Sequence, residues 1–246
     1  MANFFYRVPY GGAQEFQLWG LAHISVLVFS SVMIYLAFKY VHLLKDNKYE
    51  KVVRLTFGSL MLLTNVTLWI YAYNNNLPWY EYLPEATCGW AVIFSGLALI
   101  TRKRFFFVLA TYWGFGAVLT LLGSDLRDGP SRYNFYQFFL RHLGIIIAGI
   151  YLIKVNDFKL NKKDFWIFVI VSLSMGFVGF IISYVVNRPL EVNMFYMMQP
   201  VVKGTPLTYF FSISRFVYLI VWVPFALLLG YLYGLLFIYV SHGTLK

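Results

Sequence analysis

The sequence places a cysteine and two histidines, residue types that carry nucleophilic and acid–base chemistry, inside long apolar stretches. Cys88 is the single cysteine, and His23 and His142 lie in two other apolar stretches. A thiol is a weak nucleophile until a neighbouring imidazole takes its proton, after which the thiolate can attack a carbonyl and hold the acyl group as a thioester. Ionisable side chains within a membrane span are costly and are candidates for function. The three residues therefore predict a Cys/His acyl-transfer centre.

Each of these residues also has a structural interpretation. Cys88 can be a small buried hydrophobe, and His142 or His23 can serve only to hydrogen-bond a neighbouring helix. A zinc site made by the two histidines and a carboxylate is a weaker alternative, because the sequence has no paired histidines at helical spacing. We therefore predict no metal and no cofactor, and a single cysteine excludes an internal disulfide.

The composition indicates a polytopic membrane protein of the all-α class. Of the 246 residues, 60% are hydrophobic and only 12% are charged, with a formal net charge of +10. A soluble domain carries about 25% charged residues. So little charge excludes a soluble enzyme and a disordered protein, and a basic nucleic-acid binder is seldom this apolar. We expect a membrane as partner and no nucleic acid.

Seven stretches are long and apolar enough to span a bilayer, which requires about 20 residues. No stretch outside them is long enough for a second domain, so residues 1–246 are predicted to form a single integral membrane domain, and Pro224 is expected to kink the last helix. The predicted spans are Leu18–Phe38, Val52–Tyr71, Leu83–Ile100, Phe105–Leu122, Phe135–Ile153, Phe165–Val186 and Thr208–Val240.

The basic residues predict the orientation of the seven spans. The first, third and fifth connections hold four, three and four Lys or Arg residues, against none, two and two in the others. The positive-inside rule then puts the N-terminus outside and the C-terminus in the cytoplasm. Counted from the outer ends of their spans, His23, Cys88 and His142 all lie about 7–11 Å deep. Their shared depth favours a common site on the outer side.

The outer side is predicted to hold arginines in preference to lysines. A guanidinium offers a planar bidentate fork to phosphate, so these arginines predict a site for phospholipid headgroups. Chance and interfacial snorkelling are the alternatives. The four arginines assigned to the site are Arg127, Arg132, Arg141 and Arg188.

Further polar residues are predicted to surround the same site. Asp125, in the turn after the fourth span, could orient a histidine as the third member of a triad, or could cap its turn or pair with an arginine. Asn193 could stabilise an oxyanion. The residues expected to line the mouth of the site are Asn187, Asn193 and Tyr196, with Asn65 reaching it from the second span.

Several short motifs resemble those of the YwaF-like bacterial integral membrane proteins, whose eukaryotic relatives include an acyltransferase that builds ether phospholipids. LPEATC at Leu83–Cys88 resembles a Leu-Pro-x-His-x-Cys motif, and FYQFFLRH at Phe135–His142 resembles a Phe-x-x-Phe-Phe-x-x-His segment. GLAH at Gly20–His23 is similar to the histidine segment of the first span. GSDL at Gly123–Leu126 and NRPLEVNMFYMMQP at Asn187–Pro200 are similar to two outer loops of the family.

The resemblance implies a seven-helix fold in a bacterial cell membrane and acyl transfer through the cysteine. Cys88 takes the place of the nucleophile, and His142 that of the histidine of the fifth helix. The sequence departs from the family at Ala86, where a histidine is often found. If that histidine is the base elsewhere, the base here must be His142 or His23, or the chemistry is lost.

The resulting prediction is an acyltransferase whose site opens to the outer leaflet. Acyl-CoA and acyl carrier protein are cytoplasmic, so the acyl donor is expected to be a phospholipid, and the acceptor a lysophospholipid or the amino terminus of a lipoprotein. A lipid hydrolase with Thr87 as nucleophile is the first alternative. The second is a transporter or sensor without enzymatic activity, in which the histidines form a proton relay or ligand site.

Overall fold

The computed structural model describes residues 4–7, 15–78, 82–84, 86–124, 126–185, 193–198, 200 and 206–242. Within these ranges nine α-helices form the fold and no strand occurs, which confirms the all-α prediction. The helices are α1 (Leu21–Tyr40), α2 (Glu50–Asn74), α3 (Thr87–Thr101), α4 (Arg104–Trp113), α5 (Phe115–Leu122), α6 (Tyr133–Lys154), α7 (Asp164–Val185), α8 (Pro206–Ile213) and α9 (Arg215–Ser241).

Six helical segments of the described chain are long and apolar enough to cross a membrane. They are α1 with the 3-10 turn that follows it, α2, the pair α4–α5, α6, α7 and α9. The remaining helix in a predicted span, α3, is apolar but has 15 residues. At 1.5 Å per residue it extends about 22 Å, less than a hydrocarbon core of about 30 Å. The chain is therefore a multi-pass helical membrane protein.

Helix α3 begins four residues later than the sequence predicts. The predicted span started at Leu83, but Ala86 is still extended and the helix starts at Thr87. Pro84 accounts for the exclusion of Leu83 from the helix, because a proline keeps the residue before it extended. Cys88 consequently lies in the first turn of the helix, and not five residues within it as predicted.

The last predicted span is divided at a position that the sequence analysis did not identify. Helix α8 ends at Ile213 and α9 begins at Arg215, whereas the helix continues through Pro224, where a kink was expected. Ser214 accounts for the break, because its hydroxyl accepts a hydrogen bond from the Val217 amide at 3.1 Å and so caps the start of α9.

Helix α6 forms the centre of the bundle. Most of its apolar length is buried, and it packs against α1, α2, α3, α4, α5 and α9. Helices α1, α7 and α9 bury only a small part of their apolar length and expose large hydrophobic side chains such as Val28, Phe177 and Leu228. Apolar surface on this scale is incompatible with water and suits contact with lipid. These three helices form the perimeter.

Close contact between α2 and α3 fixes α3 against the rest of the bundle. A side chain at Gly58 would meet the Gly96 carbonyl oxygen at 3.0 Å, and one at Gly96 would meet the Gly58 oxygen at the same distance. Small residues allow membrane helices to approach in this way. At the other end, Arg54 pairs with Glu50 at 2.8 Å and donates to the Leu99 carbonyl of α3.

Candidate functional site

Cys88 is the second residue of α3 and lies among polar contacts. The backbone amides of Cys88 and Gly89, the Thr120 hydroxyl of α5 and the Arg141 guanidinium of α6 all favour negative charge on its sulfur. The N–H groups in the first turn of a helix have no carbonyl partner four residues earlier within the helix, and together they favour negative charge. Burial opposes them more strongly, because it disfavours the charged form, so a thiolate here depends on these neighbouring groups.

The thiol borders an apolar cavity of about 140 Å³, which we call the Cys88 cavity. Ser172, one of its few polar groups, accepts a hydrogen bond from Trp113 Nε1 at 2.8 Å. The walls come from α3, α4, α5, α7 and α9 and from a turn before α8. The lining residues are Ala86, Thr87, Cys88, Trp113, Phe115, Gly116, Leu119, Thr120, Phe168, Ser172, Leu173, Gly176, Phe195, Tyr196, Met197, Trp222, Val223, Ala226 and Leu227.

Gly116 allows the first turn of α3 to lie against α5. A Cβ atom at this position would lie 3.1 Å from Thr87 Oγ1 and 3.9 Å from the backbone nitrogen of Cys88. A side chain here would require the Thr87 hydroxyl to shift, so the glycine allows the close approach of the two helices. Neither Gly116 nor Thr120 could be identified from the sequence, because only the tertiary structure brings α5 to Cys88.

His142 is buried and is held in one tautomer. Its Nδ1 lies 2.6 Å from the Phe138 carbonyl oxygen, and because a carbonyl can only accept, Nδ1 carries the proton. Nε2 is then the basic nitrogen. Within the described ranges no hydrogen bond joins His142 to Cys88, and His142 is not among the residues lining the Cys88 cavity. The tautomer suits a general base, and the predicted pairing with Cys88 stays a prediction.

Arg141 and Asn65, both predicted to bind substrate, lie together beside Cys88. Arg141 is only 9% exposed and donates from Nη2 to Asn65 Oδ1 at 2.9 Å, while its Nε has no hydrogen-bond partner. No carboxylate pairs with Arg141 in the described part of the chain. A buried charge needs a counter-charge, so this guanidinium is suited to an anionic group of a ligand or to the thiolate.

His23 has both ring nitrogens bound to backbone. Nδ1 accepts from the Trp19 amide at 3.1 Å, which leaves Nε2 as the donor to the Leu121 carbonyl oxygen at 2.8 Å. The ring is completely buried. His23 thus joins the start of α1 to the end of α5, and a neutral imidazole with both nitrogens occupied is poorly suited to be a base.

The loop between α5 and α6 holds a buried carboxylate, Asp128, that was not among the predicted site residues. Asp128 is completely buried and accepts hydrogen bonds from the Tyr71 hydroxyl at 2.6 Å and Asn134 Nδ2 at 3.0 Å. Arg127 lies 3.9 Å from Glu15. Among the predicted residues of this region, Arg132 is buried, and Asp125, Asn187 and Arg188 lie outside the described residues.

The turn of residues Asn193–Met198 covers one side of the Cys88 cavity. Phe195 and Tyr196 line the cavity and both have left-handed backbone angles, with φ of 54° and 58°. Asn193 Oδ1 accepts from the Met198 amide at 2.9 Å and so shapes the turn. Two α9 side chains hold it in place, because the Tyr218 hydroxyl and Trp222 Nε1 donate to the carbonyls of Tyr196 and Phe195.

Asn193 is itself absent from the lining, so of the two turn residues predicted at the mouth only Tyr196 faces the cavity. Among the described residues, no three His, Cys, Asp or Glu side chains come together as a metal site.

Apolar crossing helices around a half-buried thiol and a buried guanidinium define a polytopic membrane protein with a polar site in its interior. The model of the TMEM164 family matches residues 18–235, most of the sequence, so the chain belongs to the TMEM164 family. Comparison with curated proteins and with solved structures finds no match.

Proposed function

We propose that this chain is an integral membrane acyltransferase, in which Cys88 takes an acyl chain from a phospholipid and passes it to a lipid or lipoprotein acceptor. The observation that carries the proposal is the placement of Cys88 in the first turn of α3, at the edge of an apolar cavity and next to the buried guanidinium of Arg141. The cavity suits a hydrocarbon chain, and the guanidinium suits a phosphate.

The reaction needs two acyl transfers at one sulfur. In the first, the Cys88 thiol gives its proton to His142 Nε2, directly or through one water, and the thiolate attacks the ester carbonyl of the donor. The carbon–oxygen bond of the ester breaks, and the leaving lysolipid oxygen takes the proton from the imidazolium. In the second, the acceptor hydroxyl or amine gives a proton to His142 and attacks the thioester, which releases the Cys88 sulfur; that sulfur recovers the proton.

The start of α3 is a candidate for stabilising the negative oxygen formed in each step. The Cys88 amide and the Thr120 hydroxyl are the donors nearest in the fold to this position, because both residues line the Cys88 cavity. Asn193 was the sequence-based candidate for this role. Asn193 does not line the cavity, so the α3 start is the stronger candidate.

We also propose that α3 is a seventh crossing helix, with the N-terminus of the chain outside and the C-terminus in the cytoplasm. The unequal distribution of Lys and Arg between alternate connections supports this orientation. It puts the first turn of α3 toward the outer leaflet. A bacterial cell membrane is the location favoured by the resemblance of the motifs around Cys88 and His142.

Mass spectrometry of the intact protein tests the proposal directly. The full chain is reconstituted in phosphatidylcholine vesicles, and an acyl adduct labile to hydroxylamine is expected on the wild type and absent from C88A. Because the chain has one cysteine, the adduct can be assigned without ambiguity. The control C88S keeps the size of the side chain and is expected to give no hydroxylamine-labile thioester. No adduct on the wild type would contradict the proposal.

A lipid hydrolase is the second candidate, favoured by the position of Thr87. Its side chain also lines the Cys88 cavity, and its Oγ1 lies against Gly116. In that case water is the acceptor and free fatty acid is the only acyl product. Release of fatty acid that persists in C88A and is lost in T87V would establish hydrolysis; acylated acceptor lost in C88A would exclude it.

A further inference from the structure

Helix α5 separates two cavities. Phe115, Gly116, Leu119 and Thr120 face the Cys88 cavity, whereas Val118, Leu121 and Leu122 face a second cavity of about 460 Å³. A helix with its side chains is about 10 Å thick, so only that distance lies between the two spaces.

The second cavity, which we call the α1–α9 cavity, lies between α1, α5, α6 and α9. Ser30 and Ser31 of α1 are small, and the room they leave contributes to its volume. Apart from these hydroxyls and that of Tyr233, the walls are hydrocarbon. The lining residues are Leu27, Ser30, Ser31, Ile34, Phe38, Val118, Leu121, Leu122, Ile146, Ile150, Tyr233, Leu236 and Phe237.

Two of its four walls belong to the perimeter of the bundle. Helices α1 and α9 bury little of their apolar length, and Leu236, in the cavity wall, is 50% exposed. The cavity therefore adjoins the surface that meets the bilayer. Apolar cavities hold water poorly, and the abundant apolar ligand beside this one is the hydrocarbon chain of a lipid.

We infer that the α1–α9 cavity binds the hydrocarbon chain of a bilayer lipid and, on the basis of the proposed acyl transfer, that this lipid is the acyl acceptor. Thr120, which lines the Cys88 cavity together with Cys88, is followed directly by Leu121 and Leu122 in the wall of the second cavity. The chains of donor and acceptor would then lie on opposite faces of α5. Their polar ends would meet past Leu122, where the helix ends.

The position of α5 between the two chains is fixed from α1. His23 Nε2 donates to the Leu121 carbonyl oxygen, so α1 is joined to α5, the helix that lies between the two cavities. This contact keeps the opening of the α1–α9 cavity at a constant distance from Cys88. His23 is accordingly a positioning residue in this arrangement.

Photo-crosslinking tests the chain site without any catalytic step. The full protein in phosphatidylcholine vesicles is exposed to a lysophosphatidylcholine probe with a diazirine in its chain, and peptide mass spectrometry locates the labels. Labels are expected on Leu27 and Ile146. Filling the cavity with L236W should reduce them about fivefold, since overpacking costs about 1 kcal/mol or more. The control is L232W, at a leucine of α9 that is 52% exposed and outside the lining, and it should leave them unchanged.

Cross-linking that is equal in L236W and L232W would overturn the chain site. The role as acceptor site is tested by loading Cys88 and following discharge of the thioester to a lysophospholipid. L236W should slow discharge about tenfold and loading less than twofold, because only the acceptor would be misplaced. Unchanged discharge in L236W would overturn the acceptor role. If the wild type never loads, the proposed function fails, while the cross-links still decide whether the cavity binds a chain.

Discussion

The two cavities beside α5 differ in both size and chemistry. The α1–α9 cavity is the larger, at about 460 Å³ against 140 Å³, yet its lining carries only hydroxyl groups among hydrocarbon. The smaller Cys88 cavity has a thiol and the start of a helix in its wall, and the charge of the buried Arg141 guanidinium acts on that thiol. The volume of a cavity therefore indicates where a hydrocarbon chain fits. Polar groups that converge on a cavity indicate where a reaction can take place. One short helix presents both environments.

The largest expected effect concerns His142, the proposed base for the thiol of the Cys88 cavity. H142A should slow loading of Cys88 about 10³-fold, because the thiol would lose its general base. H42A is the control, since His42 lies in the exposed 3-10 turn after α1. Loading is measured as the initial rate of adduct formation. A rate in H142A within a factor of a few of the wild type would show that another group takes the proton.

The next largest effect compares the two faces of α5 directly. Leu119 and Leu122 are both leucines with 49% and 48% exposure, but they line different cavities. L119W should reduce loading roughly 100-fold by displacing the donor ester. L122W should affect loading little and discharge more. Equal effects of the two substitutions on loading would mean that the cavities do not bind different lipids.

A smaller effect is expected for the buried guanidinium of Arg141, whose charge acts on Cys88. R141Q should raise the donor concentration needed for half-maximal loading about tenfold, since a charged hydrogen bond contributes about 1.5–3 kcal/mol. N65A should have the same direction of effect and a smaller size, because Asn65 only orients Arg141. R102Q serves as control, because Arg102 is exposed and lies just past the far end of α3 from Cys88. A change in maximal rate alone would indicate that Arg141 acts on the thiolate and not on the donor.

The smallest effect concerns the stability that His23 contributes by joining α1 to α5, the helix between the two cavities. H23A removes two hydrogen bonds and leaves the Leu121 carbonyl without its side-chain partner, which should cost about 1 kcal/mol and lower Tm by about 4 °C. The H42A control should melt like the wild type. Thermal unfolding in detergent, followed by tryptophan fluorescence, measures the difference. If H23A instead abolished loading at unchanged Tm, His23 would act in the chemistry.

Sequence patterns predicted the helices better than the contacts between them. Long apolar runs predict crossing helices, because backbone N–H and C=O groups in lipid must form their hydrogen bonds within the same segment. Boundaries failed where local chemistry decides, as at Ala86 before α3 and at the Ser214 cap between α8 and α9. A continuous apolar run conceals both.

The candidate site was predictable in its residue types and not in its pairings. Cys88, Arg141 and Asn65 were each identified as polar groups in apolar spans, and the fold brings them together. Depth along a helix says nothing about the direction a side chain faces, so the bonds of His23 to backbone could not be foreseen. Thr120 was missed for the same reason, since a threonine inside an apolar span is unremarkable.

The anchoring of α3 has a consequence for how lipids enter. The helix is held by the Gly58–Gly96 contact, by Arg54 at its last turn and by Gly116 at its first. A nucleophile on such a helix loses little conformational freedom on reaching the transition state. The entropy cost of positioning it has already been met during folding. The freedom to admit and release large substrates must then reside elsewhere, in the sparsely packed α1, α7 and α9. Folding thus produces a rigid part, which holds α3 and Cys88, and a more flexible perimeter made of α1, α7 and α9.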